Sequence, residues 1–195
     1  MKKGFTLIEL LVVIAILAIL AVAVVLVINP AQLLKESRDV TRISDLNTLN
    51  NAISLYLADN SNSSWAASST ICTSGTAQPS EGTSNTCTAN AIYTTTGTGW
   101  VSGVIFTSTT LGSPLGALPR DPNNAGTCGL AANSTPTTCM YVFQTNGTYG
   151  IYKLMANMES TKYTTGGTGD VETNTRDGGN LGGWYELGTR IALPL

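Results

Sequence analysis

The sequence predicts an α+β protein, in which one long N-terminal helix packs on a small antiparallel β-sheet. Three observations predict it. Leu10 to Ile28 is a run of nineteen residues with no polar side chain. From Val40 to Leu57, apolar residues recur at intervals of three and four, the period of a one-sided helix. Later in the chain come short β-prone runs separated by Gly, Pro, Asn and Thr.

The first run is about long enough to cross a bilayer, because roughly 20 apolar residues at about 1.5 Å rise cover a ~30 Å hydrocarbon core. Lys2 and Lys3 stand immediately before it. By the positive-inside rule they stay cytoplasmic and the rest of the chain lies across the membrane. A cleaved secretory signal does not fit: its apolar core is about 7–15 residues and a small-residue cleavage site follows it.

Glu9 does not fit an ordinary anchor, since it lies at the edge of the apolar run, one helical turn from Phe5. A carboxylate in hydrocarbon costs a few kcal/mol or more and usually has a partner. Lys2 and Lys3 are the basic side chains nearby. A cut between Gly4 and Phe5 would create a new amine four residues from Glu9, on the same chain or a neighbouring copy. Solvation of Glu9 at the headgroups is the other reading.

These residues carry a resemblance. GFTLIELLVVIAILAIL resembles the class III leader and N-terminal helix of type IV prepilins and type II secretion pseudopilins. The match comprises a short basic leader ending in Gly4, then Phe5, then Glu9 as the fifth residue after the cut, then the apolar run. The resemblance implies a pilin-like fold and a family mechanism. A prepilin peptidase in the membrane would cleave after Gly4 and methylate the amine of Phe5. Glu9 would neutralise that amine on a neighbouring subunit, and inner-membrane assembly machinery would build a homo-oligomeric filament. The precursor would be a single-pass protein of the cytoplasmic membrane, and the filament extracellular or periplasmic.

Four segments follow: a leader, 1–4; a membrane and assembly half of the helix, 5–28; an amphipathic half, 29–60; and a loop-rich domain with the sheet, 61–195. Asn29-Pro30 predicts a kink or break, because an interior proline removes a hydrogen bond and clashes with the preceding turn. The family's proline usually lies a few residues earlier. Beyond it, Val40, Ile43, Leu46, Leu49/Asn50, Ile53 and Tyr56/Leu57 form the expected buried stripe. Lys35–Asp39 and Arg42–Asp45 have spacings at which opposite charges meet. They read as a solvated face, with bridges between subunits as the alternative.

In the domain, Ser61 to Asn90 reads as a Ser/Thr-rich loop. Val101 to Phe106, Leu115 to Leu118, Met140 to Gln144, Tyr149 to Met155 and Trp184 to Leu187 are candidate strands. Asn146-Gly147 between the third and fourth is a hairpin signal. Leu118-Pro119-Arg120-Asp121-Pro122 and Tyr149 to Ser160 resemble segments of major pseudopilins. The former also reads as an ordinary proline turn.

Cys72, Cys87, Cys128 and Cys139 all follow the apolar run. An even number beyond the membrane favours disulfides. Three connectivities are possible, and the neighbour pairing Cys72–Cys87 and Cys128–Cys139 is chosen because each closes a short loop. A loop near 15 residues is worth about 3 kcal/mol in the chain-entropy model.

Ten Lys and Arg face twelve Asp and Glu, with no histidine. No basic stripe points to nucleic acid. Without histidine, a Ser-His or Cys-His nucleophile is impossible, and no phosphate- or dinucleotide-binding glycine motif occurs. A structural role is therefore expected instead of catalysis. Major pseudopilins carry a calcium loop near the C-terminus. The acidic Gly-rich tail from Thr164 to Gly183 offers Asp170, Glu172, Asp177 and Asn180 as oxygen ligands. A plain solvated loop is the preferred reading, and no cofactor is assigned. The competing function is a monomeric membrane-tethered binding domain, such as an adhesin.

Overall fold

A computed structural model describes residues 4–60, 65, 68–74, 87–108, 112–130 and 136–189. Lys2 and Lys3 lie outside the described residues.

The first helix, α1, spans Leu7–Ile28. Its 22 residues would reach about 33 Å at 1.5 Å each. The stretch Leu7–Val25 is long and apolar enough to cross a membrane, and none of it is buried within the chain. The helix ends at Asn29, which adopts a left-handed conformation with φ 46°. The second helix, α2, spans Pro30–Asp59. The expected break is present, but Asn29 makes it. Pro30 sits at the first helical position, where a missing N–H costs nothing. The Asn29 side chain caps the new helix by accepting from Gln32 N at 3.4 Å.

The strands are β1 Ser69–Cys72, β2 Thr88–Ala89, β3 Thr127–Leu130, β4 Pro136–Thr138, β5 Tyr141–Thr145, β6 Tyr152–Ala156 and β7 Tyr185–Gly188; a short helix, α3, spans Asn174–Asp177. Five strands form one sheet in the order β2-β1-β5-β6-β7, and β3 pairs with β4 separately. The pairs β1–β5, β5–β6 and β6–β7 are antiparallel, as expected. β1 and β2 pair parallel, so the sheet is mixed.

The sequence finds β5, β6 and β7 and misses the rest. β1 and β2 emerge from the stretch read as loop. Ile71 and Cys72 pair with Phe143 and Val142 of β5, so Cys72 is both stapled and packed. Val101 to Phe106 is not a strand. A turn with Gly103 at φ 79° interrupts it; its Val101 and Val104 enter the core from irregular backbone and Phe106 from a short 3-10 helix, Phe106–Ser108. Leu115 to Leu118 is irregular and is held by Leu118 N donating to Tyr93 O.

Both faces of the sheet are covered. On one, Leu46, Leu49, Ile53 and Tyr56 of α2 pack with Tyr141, Phe143, Tyr152, Leu154, Trp100 and Phe106. On the other, Met140, Val142 and Met155 pack with Cys72, Cys87, Leu181 and Trp184. That explains why β5 and β6 are buried at every position, a pattern of strands covered on both faces.

The start of the stripe on α2 differs from expectation. Val40 is half exposed, whereas Asp39 and Arg42 are fully buried. The inward face is Asp39, Arg42, Leu46, Leu49, Ala52, Ile53 and Tyr56. Asp39 and Arg42 thus leave solvent, contrary to the solvated-face reading. Partners from elsewhere in the chain compensate their charges and replace the expected Lys35–Asp39 and Arg42–Asp45 pairs.

Candidate functional site

Two groups of residues stand out: the exposed N-terminal turn, and a buried charge cluster that joins α2 to the domain.

Gly4, Phe5 and Thr6 are extended before α1 begins, and all three are exposed. A Cβ at Gly4 would meet nothing within 4 Å, and Phe5 is 87 % exposed. The Gly4–Phe5 bond is therefore left uncovered by the described residues. Thr6 is the N-cap and Glu9 the third helical residue of a capping box. Thr6 N and Thr6 Oγ1 each donate to Glu9 Oε2 at 2.8 Å, and Thr6 Oγ1 accepts from Glu9 N at 3.3 Å. This satisfies two of the open N–H groups at the helix start. Among the described residues, no cation lies within ion-pair distance of Glu9. Phe5 lies two residues before, and Glu9 within, the first turn of an apolar helix whose stretch Leu7–Val25 no described residue buries.

In the N-terminal half of α2 lies the charge cluster. Arg42 donates through Nε and Nη2 to Asp121 at 2.8 and 2.9 Å, through Nη1 to Asp39 at 2.7 Å and through Nη2 to Glu159 at 2.5 Å. Arg38 forks onto Glu159 at 3.0 and 2.7 Å. Asp39 in turn accepts from Glu159 N and Ser160 N at 2.9 and 2.8 Å. Planar guanidinium groups suit such bidentate pairs. Burial works against the Arg42 charge, but hydrogen bonds and charges from Asp121 and Glu159 outweigh it and hold Arg42 firmly protonated. Burial likewise pushes Glu159 up, but Arg38 and Arg42 win and hold its carboxyl below the usual range. The cluster fixes the turn after β6 and the proline turn before β3 to one face of α2.

The structure joins Cys72 to Cys87 and Cys128 to Cys139, with Cα separations of 5.8 and 4.9 Å. Cys128, Cys139 and Glu159 bring ligand atoms within 4.8 Å of one another. The two sulfurs are bonded to each other, so they are not thiolate ligands.

The acidic tail residues hold backbone. Asp170 accepts from Gly166 N at 2.8 Å and Glu172 N at 2.9 Å. Glu172 accepts from Met158 N at 2.7 Å and Thr165 N at 3.1 Å. Asp177 accepts from Gly179 N at 2.8 Å and Glu186 N at 3.0 Å. Asn180 lies beyond them, accepting from Lys153 Nζ at 2.6 Å. Glu172 ties the tail to the segment after β6 and Asp177 ties it to β7, whereas Asp170 closes a turn within the tail. Burial pushes the Glu172 carboxyl up to about 7.

The joining of Asp39, Arg42, Asp121 and Glu159 is invisible in the sequence reading. The two segments singled out there, Leu118 to Pro122 and Tyr149 to Ser160, contain Asp121 and Glu159. The available signal was an acid in each, to be matched with the bases of α2.

The chain matches a family model described as the prokaryotic N-terminal methylation motif over residues 1–25. No curated protein and no solved structure matches it.

Proposed function

We propose, on the premise that residues 1–25 carry the class III prepilin-type leader and N-terminal helix of type IV pilins and pseudopilins, that this protein is the structural subunit of a type IV pilus-like or secretion-pseudopilus filament. The observation that carries the proposal is the union of that motif with an apolar helix, α1, whose stretch Leu7–Val25 no described residue buries. In the precursor, lipid covers α1. In the filament, α1 helices of neighbouring copies cover one another. A prepilin peptidase cuts the exposed Gly4–Phe5 bond and methylates the new amine. Glu9 then meets the Phe5 amine of an adjacent subunit and forms the ion pair that no described residue of its own chain supplies. The charged leader stays on the cytoplasmic side, and the domain stands outside the cytoplasm, where its disulfides persist. The inner-membrane assembly machinery draws subunits from the bilayer. Its role is mechanical, and no catalytic step is assigned to it.

Intact mass and N-terminal sequencing of protein from membranes and sheared filaments test this reading. The expected product begins at a methylated Phe5 and appears in multimers. A chain that keeps Met1 to Gly4 beside an active peptidase, and never multimerises, would instead be a tethered monomer.

A further inference from the structure

On the sheet face turned away from α2, β6 and β7 bring a buried amine, a carboxamide and a carboxylic acid together. Lys153 in β6 stands opposite Gly188, and Glu186 in β7 stands opposite Met155. Both side chains are fully buried, and Lys153 Nζ lies 2.5 Å from Glu186 Oε1. The same Nζ donates to Asn180 Oδ1 at 2.6 Å.

The arrangement is held from behind. Glu186 Oε2 accepts from Leu181 N at 2.9 Å, and Asp177 accepts from Glu186 N and Gly179 N. A Cβ on Gly179 would run into the Glu186 carboxylate, so the missing side chain lets the Asn180 loop close down on it. Val142, Met155, Leu181 and Trp184 form the apolar cluster on this face.

We propose that Lys153 and Asn180 become joined by an intramolecular isopeptide bond in the folded protein, with Glu186 as the general acid and base. Glu186 takes a proton from the Lys153 ammonium. It then presents that proton to the Asn180 side-chain carbonyl oxygen. The Nζ lone pair attacks Asn180 Cγ and forms the new C–N bond. The tetrahedral intermediate collapses as the bond from Cγ to Nδ2 breaks. As the carbonyl re-forms, Glu186 carries one of the two protons left on Nζ and the proton on the Asn180 oxygen to the departing nitrogen, and one hydrogen stays on the new amide. The carboxamide nitrogen leaves as ammonium, Glu186 returns to its starting state, and no electrons are gained or lost. No further reactant is required.

Aminolysis of an amide is slow in water, but fixed reactants reach effective molarities of about 10⁵–10⁸ M, and the Lys153 and Glu186 side chains are fully buried. Burial pushes the Glu186 carboxyl above its usual range against the pull of Lys153, which suits it to holding a proton. The bond would tie β6 to the segment before β7, a covalent clamp on the last strand of the sheet.

Peptide mapping of the full-length protein, extracted from membranes in detergent and reduced, decides the question. The expected result is a branched peptide joining Lys153 to Asn180, lighter by one ammonia than its two parts. Asn180→Asp should give the same branched peptide with loss of water instead. Glu186→Gln should restore the two linear peptides. Separate linear peptides from folded wild-type protein would overturn the proposal and leave a buried ion pair only. An undiminished cross-link in Glu186→Gln would overturn the role of Glu186.

Discussion

Arg42 of α2 and Asp121 of the proline turn meet side by side, with two hydrogen bonds of 2.8 and 2.9 Å between side chains that are fully buried. The pair is 79 residues apart in sequence, so it reports docking of the domain on α2. Breaking a buried pair by removing one partner typically costs about 3–5 kcal/mol, because the other charge stays behind unpaired. Arg42→Met leaves Asp39 and Asp121 without their cation, while Glu159 keeps only Arg38. It should lower the unfolding free energy by about that amount, measured by urea titration of the detergent-solubilised chain. Arg38→Ala removes a partly exposed partner and should cost about 1 kcal/mol or less.

The helix-and-sheet plan was legible because it rests on local pattern. The run from Leu10 to Ile28, the Asn29-Pro30 break and the Asn146-Gly147 turn are each written within a few neighbouring residues. The inward face of α2 was misplaced at Val40 because the period alone cannot say that Asp39 and Arg42 will be buried by partners far along the chain. β1 was hidden for the same reason, since its Ser-Thr-Ile-Cys sequence becomes a strand only beside β5. At the N-terminus, the methylation motif over residues 1–25 was readable because its signal lies in fixed local spacing. The triad of Lys153, Asn180 and Glu186 was not readable, because only strand register and a loop closure bring it together.

Glu9→Ala should leave the protein in the membrane and still cut after Gly4, while filament yield falls at least tenfold. The substitution removes the carboxylate, but it leaves the apolar span intact and the Gly4–Phe5 bond exposed. Fractionation, N-terminal sequencing and counting of sheared filaments read the three outcomes separately. Normal filaments from this variant would show that the acid has no part in assembly.

Loss of the Cys128–Cys139 bond should cost about 2–4 kcal/mol, the usual worth of a short native cross-link. Cys128→Ser with Cys139→Ser is the clean variant, because a single substitution leaves one reactive thiol. Its thermal midpoint should drop by several degrees. Reducing agent should not move it further, except through Cys72–Cys87. The tie between Gly126, Cys139 and Ala125, whose backbones exchange hydrogen bonds of 2.8 and 3.0 Å, should fray first in hydrogen exchange.

Glu172 gives a prediction in pH. Its carboxyl, ordinarily 4.5, is pushed up to about 7, chiefly by burial; Asp39 and Asp170 add to this, and the N–H donors of Met158 and Thr165 oppose it. A carboxyl raised on folding favours the protonated native state. Its contribution is therefore fully present below about 4.5 and is lost as pH rises to about 7, on the order of 3 kcal/mol in total. Glu159 and Asp170 have the opposite sign, because their carboxyls are lowered on folding. Their contributions are present above the ordinary carboxylate range and are lost as pH falls through the lowered values. Between about pH 5 and pH 8 they are already saturated. Wild-type stability, followed by urea titration, should therefore decline over that interval. Glu172→Gln, neutral throughout, should flatten the decline, and an equal slope in both proteins would show that Glu172 is ionised throughout.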